Sequence, residues 1–515
     1  MPDPVTPGVR TSPIYRIRGK TGFDYPDPRA TPENTEELEN MNLTERGTAK
    51  KRDGYDEYNS NQISESGAAK DVTYLVSLPF KAGTLFASFA GTKFYEETNS
   101  TRTDRTGSLS LTDNTDKRWR SVFLDDSMIA TNGTDETVRW TGSGNATDMS
   151  GGANIPWTTC RDFAVHNNLL VALRPTISSV DQTTRVMWCD INPKVFTVDV
   201  TNFPVDNRAE ISDAGPPIIG GVDFNGFLYI CKEDGIYQTI LEYDTGFVEL
   251  RILSSIRGFE PIATNSILTR VGNTPFMFLV ARDGAYVINP DNSFINVSRP
   301  LQEEWSNLNQ GRLKYAVSFI RQKDHQVRTL LSASSTVGHD RVFVWDWDTG
   351  DVWFDKPADA INYADSWIIS NKEYDIFGTT DGYIQQANDP NKTTDNGSGI
   401  NWKVLMQPND LGFPGVDKNI ISLNSYFRSQ SGQQTHTLQF LRDERQSTTI
   451  TKTLSVGSSV TYGSGLLYDN GVFYSGGVNQ KVVTFINRDA ETFAPEWSGS
   501  DAVDIQGYSV EYEIS

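Results

Sequence analysis

Histidine and cysteine are scarce in this sequence, with four of the first and three of the second among 515 residues. His166, His325, His339 and His436 form no HExxH pair and no i,i+4 pair, and no GxSxG elbow accompanies them, so zinc hydrolase and serine hydrolase chemistry are excluded on motif grounds. Cys160, Cys189 and Cys231 are odd in number and lack metal-site spacing, which leaves buried free thiols as the expectation. No phosphate-binding glycine loop and no dinucleotide fingerprint occur; Gly215 and the pair Gly220-Gly221 only bound strands, and no cofactor or metal is implied. Long apolar runs are missing as well. Nothing approaches the ~20 residues of a membrane-spanning helix, and the opening MPDPVTPGVRTSP has no apolar centre of signal-peptide length, so neither membrane insertion nor classical secretion is expected. Basic residues are outnumbered 46 to 66, and the net charge of −20 opposes non-specific attraction to nucleic acid or anionic lipid.

What the chain does have is aromatic residues, 26 Phe, 20 Tyr and 11 Trp, set between dense Gly, Asn, Asp, Ser and Thr. That mixture favours strands and tight turns over helices. From 72 to 391 short apolar strands alternate with turn signals. Residues 222–250, VDFNGFLYICKEDGIYQTILEYDTGFVEL, divide at Asn225-Gly226, Asp234-Gly235 and Asp244-Thr-Gly246 into four strand-length pieces, the content of one propeller blade. Asp234 and Asp283 stand 49 residues apart, and Asp283 and Asp381 stand 98 apart, twice as far. One blade with an unmarked turn, in VRTLLSASSTVGHDRVFVWDWDTGDVWF, accounts for the doubling. Further turns fall at Gly91-Thr92, Asn132-Gly133 and Asn167-Asn168. At ~40 to 50 residues per blade the segment holds roughly six or seven blades. The expected fold is all-β, a β-propeller with an extended N-terminal arm and a C-terminal β-sandwich-like domain; separate sandwiches are the competing architecture.

The flanks read differently. Residues 392–399, KTTDNGSG, have linker composition, and 400–515 carry strands of another antiparallel domain, ending on alternating Tyr508, Val510, Tyr512 and Ile514. Residues 1–71 have few apolar runs and one helical candidate, PENTEELEN, with Thr31 as cap and Pro32 in the first turn. Such an arm buries too little to order itself, so the expectation is that it docks on a neighbouring subunit and that the propeller folds without it. Its basic residues, Arg16, Arg18, Lys20, Lys50, Lys51 and Arg52, are the candidate docking charges.

Three constellations invite a catalytic reading. Asp125-Asp126 are neighbours, which on a strand point to opposite faces, so a turn is expected there. DWDTGDVW, 346–353, partly matches a sialidase Asp-box: Asp348, Gly350 and Trp353 fit, whereas Asp346 and Val352 replace its Ser and Thr. His166, next to a hairpin turn, is expected to be solvated. A carbohydrate-binding or glycan-cleaving propeller is the alternative these features leave open, and a non-enzyme is the expectation.

The run ENMNLTERGTAKKRDGYDEYN, residues 39–59, is similar to a segment that precedes the first blade in many phage virion proteins, with Gly47, Lys51, Arg52 and Gly54 matching Gly-x-x-x-Lys-Arg-x-Gly and Asp53 where Pro is common. With the blade units, the WDWDTGDVWF pair, the TTDGYI unit and the C-terminal domain in that order, the chain resembles tail nozzle or tail-hub proteins of short-tailed bacteriophages. The resemblance implies a virion tail protein. It implies a ring, six copies in that family, below the portal and adaptor proteins, which carries tailspikes or fibres, lets double-stranded DNA through its lumen without specific binding, and gates genome release.

Overall fold

The computed structural model describes residues 9–18, 34–43, 47–114, 116, 118–150, 154–192, 197–211, 215–244, 247–335, 337–428, 434–442, 450–456, 472–473 and 479–514. Strands dominate, and the one α-helix among the described residues is Gln302–Ser306.

Among the described residues seven antiparallel meanders follow one another along the chain. Their first strands are Val72–Phe80, Arg120–Leu124, Thr159–His166, Ile218–Phe224, Leu268–Arg270, Val317–Arg321 and Ile361–Ile369, and we number the blades in that order. Each first strand lies against the next from blade two to blade seven, and the strand of blade seven returns to that of blade one. Blades one and two meet through Tyr74 and Ser121, whose hydroxyls are 2.6 Å apart, and through the Phe80 and Phe123 rings at 5.1 Å. This cyclic contact of four-stranded sheets is the arrangement of a seven-bladed propeller.

The turn chemistry lies where the sequence places it. Asn225 and Gly226, and likewise Asn167 and Asn168, take positive φ in two-residue hairpins. Glu233 and Asp234 form the loop before Gly235, as Arg282 and Asp283 do before Gly284. Residues 245–246 of the Asp244-Thr-Gly246 signal lie outside the described residues. The unmarked blade is blade six, where Gln326–Leu331 and Arg341–Asp346 are joined by a long loop in place of a tight turn. Asp125 and Asp126 are themselves a turn, with φ of 50° and 52°. In the Asp-box-like hairpin, Asp346 accepts the amides of Asp348 and Thr349 at 2.9 and 3.0 Å, a side-chain-stabilised turn.

The N-terminal segment corrects two expectations. PENTEELEN contains no helix over its described part: β2 (Thr35–Glu39) pairs antiparallel with Trp402–Met406 and bridges Phe354 of blade six, because the ladder on both sides outweighs local helix propensity. The arm is also no free appendage. β1 (Arg10–Thr11) and β4 (Ala49–Lys51) both pair with Asp504–Ile514, β3 (Met41–Leu43) pairs with β4, and β5 (Gly54–Asn59) is the fourth strand of blade seven. Backbone hydrogen bonds donated by strands of its own chain order a segment too poor in apolar residues to order itself. Tyr55 and Tyr58 of β5 are buried against Phe377 and Trp367, at 6.0 and 5.5 Å between ring centroids.

The C-terminal domain is two facing sheets. One runs β3, β4, Asp504–Ile514, Lys418–Arg428, Asn479–Ala490 and Val472–Phe473; the other holds β2, Trp402–Met406, Phe493–Gly499, Gln434–Arg442 and Ile450–Val456. Trp497 donates across the interface from its indole nitrogen to the Ser425 hydroxyl at 3.0 Å. Tyr508, Val510 and Tyr512 are buried as the alternation requires. Residues 392–399 contain a short hairpin whose Asp395 runs parallel to Tyr55, so the linker is attached to blade seven.

His436 sits inside this sandwich, 5.2 Å from the Trp402 ring and 5.8 Å from the Phe427 ring, with no hydrogen bond from either nitrogen to any described residue. Burial pushes its pKa down to about 4. The unfolded chain takes up this proton near pH 6.5, so between pH 6.5 and about 4 the unfolded state holds more protons and stability falls as pH is lowered. Going from pH 7 to pH 5 should remove about 2 kcal/mol through this one group. In His436→Phe that loss should vanish, which denaturant midpoints at the two pH values will measure; identical pH dependence in the two proteins would refute it.

Candidate docking site

Arg52, the centre of the predicted basic cluster, is only 6% exposed and belongs to a charge network inside its own chain. Its two terminal nitrogens reach the two oxygens of Asp395 at 2.8 and 2.5 Å, its Nε donates to the Asn40 side chain at 3.0 Å, and Nη2 donates to the Lys356 carbonyl at 3.2 Å. Burial opposes the charge on Arg52, but the bidentate Asp395 outweighs it and holds the pKa above its ordinary value. Asn40 is the meeting point of three modules. Its side-chain oxygen accepts from Arg52 and from the Lys356 amide, which leaves blade six, and its amide donates to the Asn401 carbonyl, which enters the C-terminal domain, at 2.6 Å.

Beside this contact, Arg328 of blade six donates to Asp375 of blade seven at 3.0 Å and to Asn42 of β3 at 3.3 Å. Asp355 is 3% exposed and its side chain makes no hydrogen bond to any described residue; burial pushes its pKa up against the pull of Arg328 and Arg52. The remaining motif residues are explained by the same seam. A side chain on Gly54 would place its Cβ 2.1 Å from the Thr394 carbonyl, and Gly47 has φ 71° beside the Arg16 stem. Lys51 donates to the carbonyls of Ser500 and Thr393 at 2.5 and 3.2 Å.

The six predicted docking charges therefore separate. Lys51 and Arg52 are buried in intrachain contacts and present no charge to a partner. Arg16 and Arg18 are exposed, as is Lys50, which pairs with Asp53 at 3.2 Å. Lys20 lies outside the described residues. The network partners Asn40, Arg328, Asp355, Asp375 and Asp395 were invisible to sequence reading, since nearly 290 residues separate Asn40 from Arg328 and no local pattern marks any of them.

His166 is buried, with Nδ1 2.5 Å from the Asp223 carboxylate, contrary to the solvated ring expected, because the adjacent first strand of blade four covers it. The three cysteines are free and buried, and burial raises the Cys189 pKa to about 12. Among the described residues no group of three His, Cys, Asp or Glu side chains is placed to hold a metal ion, and no helix is long and apolar enough to cross a membrane.

No family profile and no curated protein sequence matches the chain. Solved structures similar to it include the extracellular domain of a hybrid two-component system from B. thetaiotaomicron, at 10% identity and a TM-score of 0.40. The match covers 65% of this chain and 39% of that one. The AfRom2 CNH domain is similar at 10% identity and a TM-score of 0.38, over 65% of this chain and 98% of the domain.

Proposed function

We propose that the chain is a structural component of a short-tailed phage virion, a nozzle or hub subunit that assembles into a ring, docks below portal and adaptor proteins, and carries spikes or fibres. The observation that carries this reading is the seam. The Gly47, Lys51, Arg52 and Gly54 motif on which the resemblance rests is used to stitch propeller and C-terminal domain together. A part that transmits force between neighbours benefits from modules joined by continuous ladders and a buried charge network, where a flexible linker would yield. The chain carries out no catalytic step in this role. Its net charge of −20 suits a wall along which duplex DNA slides, since acidic groups repel phosphate.

Native mass of the purified chain, alone and with portal and adaptor rings, tests the reading. A closed ring, hexameric as the resemblance implies, is expected under at least one of these conditions. A monomer that stays monomeric under all of them would overturn the proposal.

A further inference from the structure

The propeller axis holds a second concentration of charge. A cavity of about 240 Å³ is lined by Arg118, Arg120, Arg161 and Lys314, with one carboxylate, Asp116, at its edge. Arg118 and Arg120 begin blade two, Arg161 is in the first strand of blade three, Thr264 precedes blade five, and Lys314 precedes blade six. Walls drawn from both sides of a ring place the cavity on the axis, at the end where the first strands begin.

The guanidiniums are fixed by contacts that cross the axis. Arg161 donates to the Thr264 hydroxyl at 2.8 Å, Arg120 donates to the Thr264 carbonyl and pairs with the buried Asp162 at 3.1 Å, and Arg118 donates to the Asn362 carbonyl of blade seven. Asp116 is engaged by Arg312 at 3.1 Å. Yet Arg118, 7% exposed, makes no hydrogen bond from Nε or Nη2 to any described residue, and Arg161 makes none from Nε. Burial, then the neighbouring Arg312, pushes the Arg118 pKa down to about 10. Buried guanidinium donors without an acceptor are costly, and in a chain this acidic the sequence offers many carboxylates that could have served. Among the described residues Asp116 is the one carboxylate on the lining, and Arg312 already engages it.

We propose that this axial cavity binds a phosphate group, as the free ion or as the monoester of a small sugar. Its tetrahedral oxygens would accept from Arg118 and Arg161 and lie against Lys314. Arginine forks match phosphate oxygens, and the four cations exceed the single lining carboxylate. The cavity is smaller than a drug-sized pocket of ~300 Å³ or more, which limits the ligand to this scale.

Thermal unfolding of the full chain in sodium phosphate, in glucose 6-phosphate and in sodium chloride, all at one ionic strength, reads this directly, since a ligand of the native state alone raises Tm. Phosphate is expected to raise Tm above the chloride value in the millimolar range. A tighter response to glucose 6-phosphate assigns the esterified group, and an equal or weaker one assigns the free ion. Arg161→Gln and Lys314→Ala should each weaken the response about tenfold. Lys314 is exposed, so its variant decides the matter even where Arg161→Gln does not fold. Equal Tm in phosphate, glucose 6-phosphate and chloride, or a response that Lys314→Ala leaves unchanged, overturns the site.

Discussion

Deleting residues 1–60 should abolish cooperative folding of the whole chain, and not only its assembly. The deletion removes the fourth strand of blade seven, one strand of the sheet that β2 joins to blade six, and three strands of the other C-terminal sheet. It uncovers Trp367 and Phe377, which Tyr58 and Tyr55 cover. Each buried aromatic is worth about 1.5–3 kcal/mol, and the carboxylate left behind at Asp395 costs about 3–5 kcal/mol. These sum to the whole stability of an ordinary domain, about 5–15 kcal/mol. The expected result is loss of near-ultraviolet circular dichroism and of a single thermal transition. A truncated protein melting sharply at the full-length temperature would show that the strands are accessory.

Arg52→Ala should be the most damaging single substitution in the seam, lowering unfolding free energy by about 3–5 kcal/mol in a denaturant titration. The cost arises from what remains: Asp395 loses both ion-pair contacts, and Asn40 loses a donor. Removing both charges in Arg52→Ala with Asp395→Ala should cost less than the two single changes added, by about 0.5–3 kcal/mol. Lys50→Glu, two residues away in the same motif but exposed, should stay within about 0.5 kcal/mol of the parent. Strictly additive Arg52 and Asp395 effects would disprove the coupling. Docking through the basic segment is consequently a question to put to Arg16, Arg18 and Lys50, because reversing Lys51 or Arg52 would report on folding.

Much of the propeller was legible because its information is local. Asn225-Gly226 and Asn167-Asn168 announce hairpins whose strands are a few residues away, and the 49-residue spacing links the Asp-Gly turns in the middle of blades four, five and seven. Blade six escaped that signal because its loop is long, yet the doubled interval still counted it. The arm was misread for the opposite reason. Thr35–Glu39 satisfies a helix pattern by itself, and only Trp402–Met406, nearly 370 residues later, makes it a strand. Arg52 looks like a solvent-exposed charge in a basic run, and its partner Asp395 lies 343 residues away. The axial cations are likewise spread from Arg118 to Lys314, each in its own unremarkable context. Charge that is gathered by topology leaves no trace in spacing.

The closing of blade seven by β5 also sets a schedule for synthesis. Asn59 pairs with Ile384, so the strand leaves the ribosome about 325 residues before its partner exists. At ~5–20 residues per second that is a wait of roughly 16–65 s. During it β5 is an unpaired edge carrying two tyrosines, and blade seven, once made, is briefly an edge awaiting a strand. Whichever copy supplies that strand first completes the ring, and on a polysome the copy from the neighbouring ribosome is a competitor. Exchange of β5 between nascent chains is the characteristic error this topology invites, and its product would be a dimer locked at the rim of blade seven.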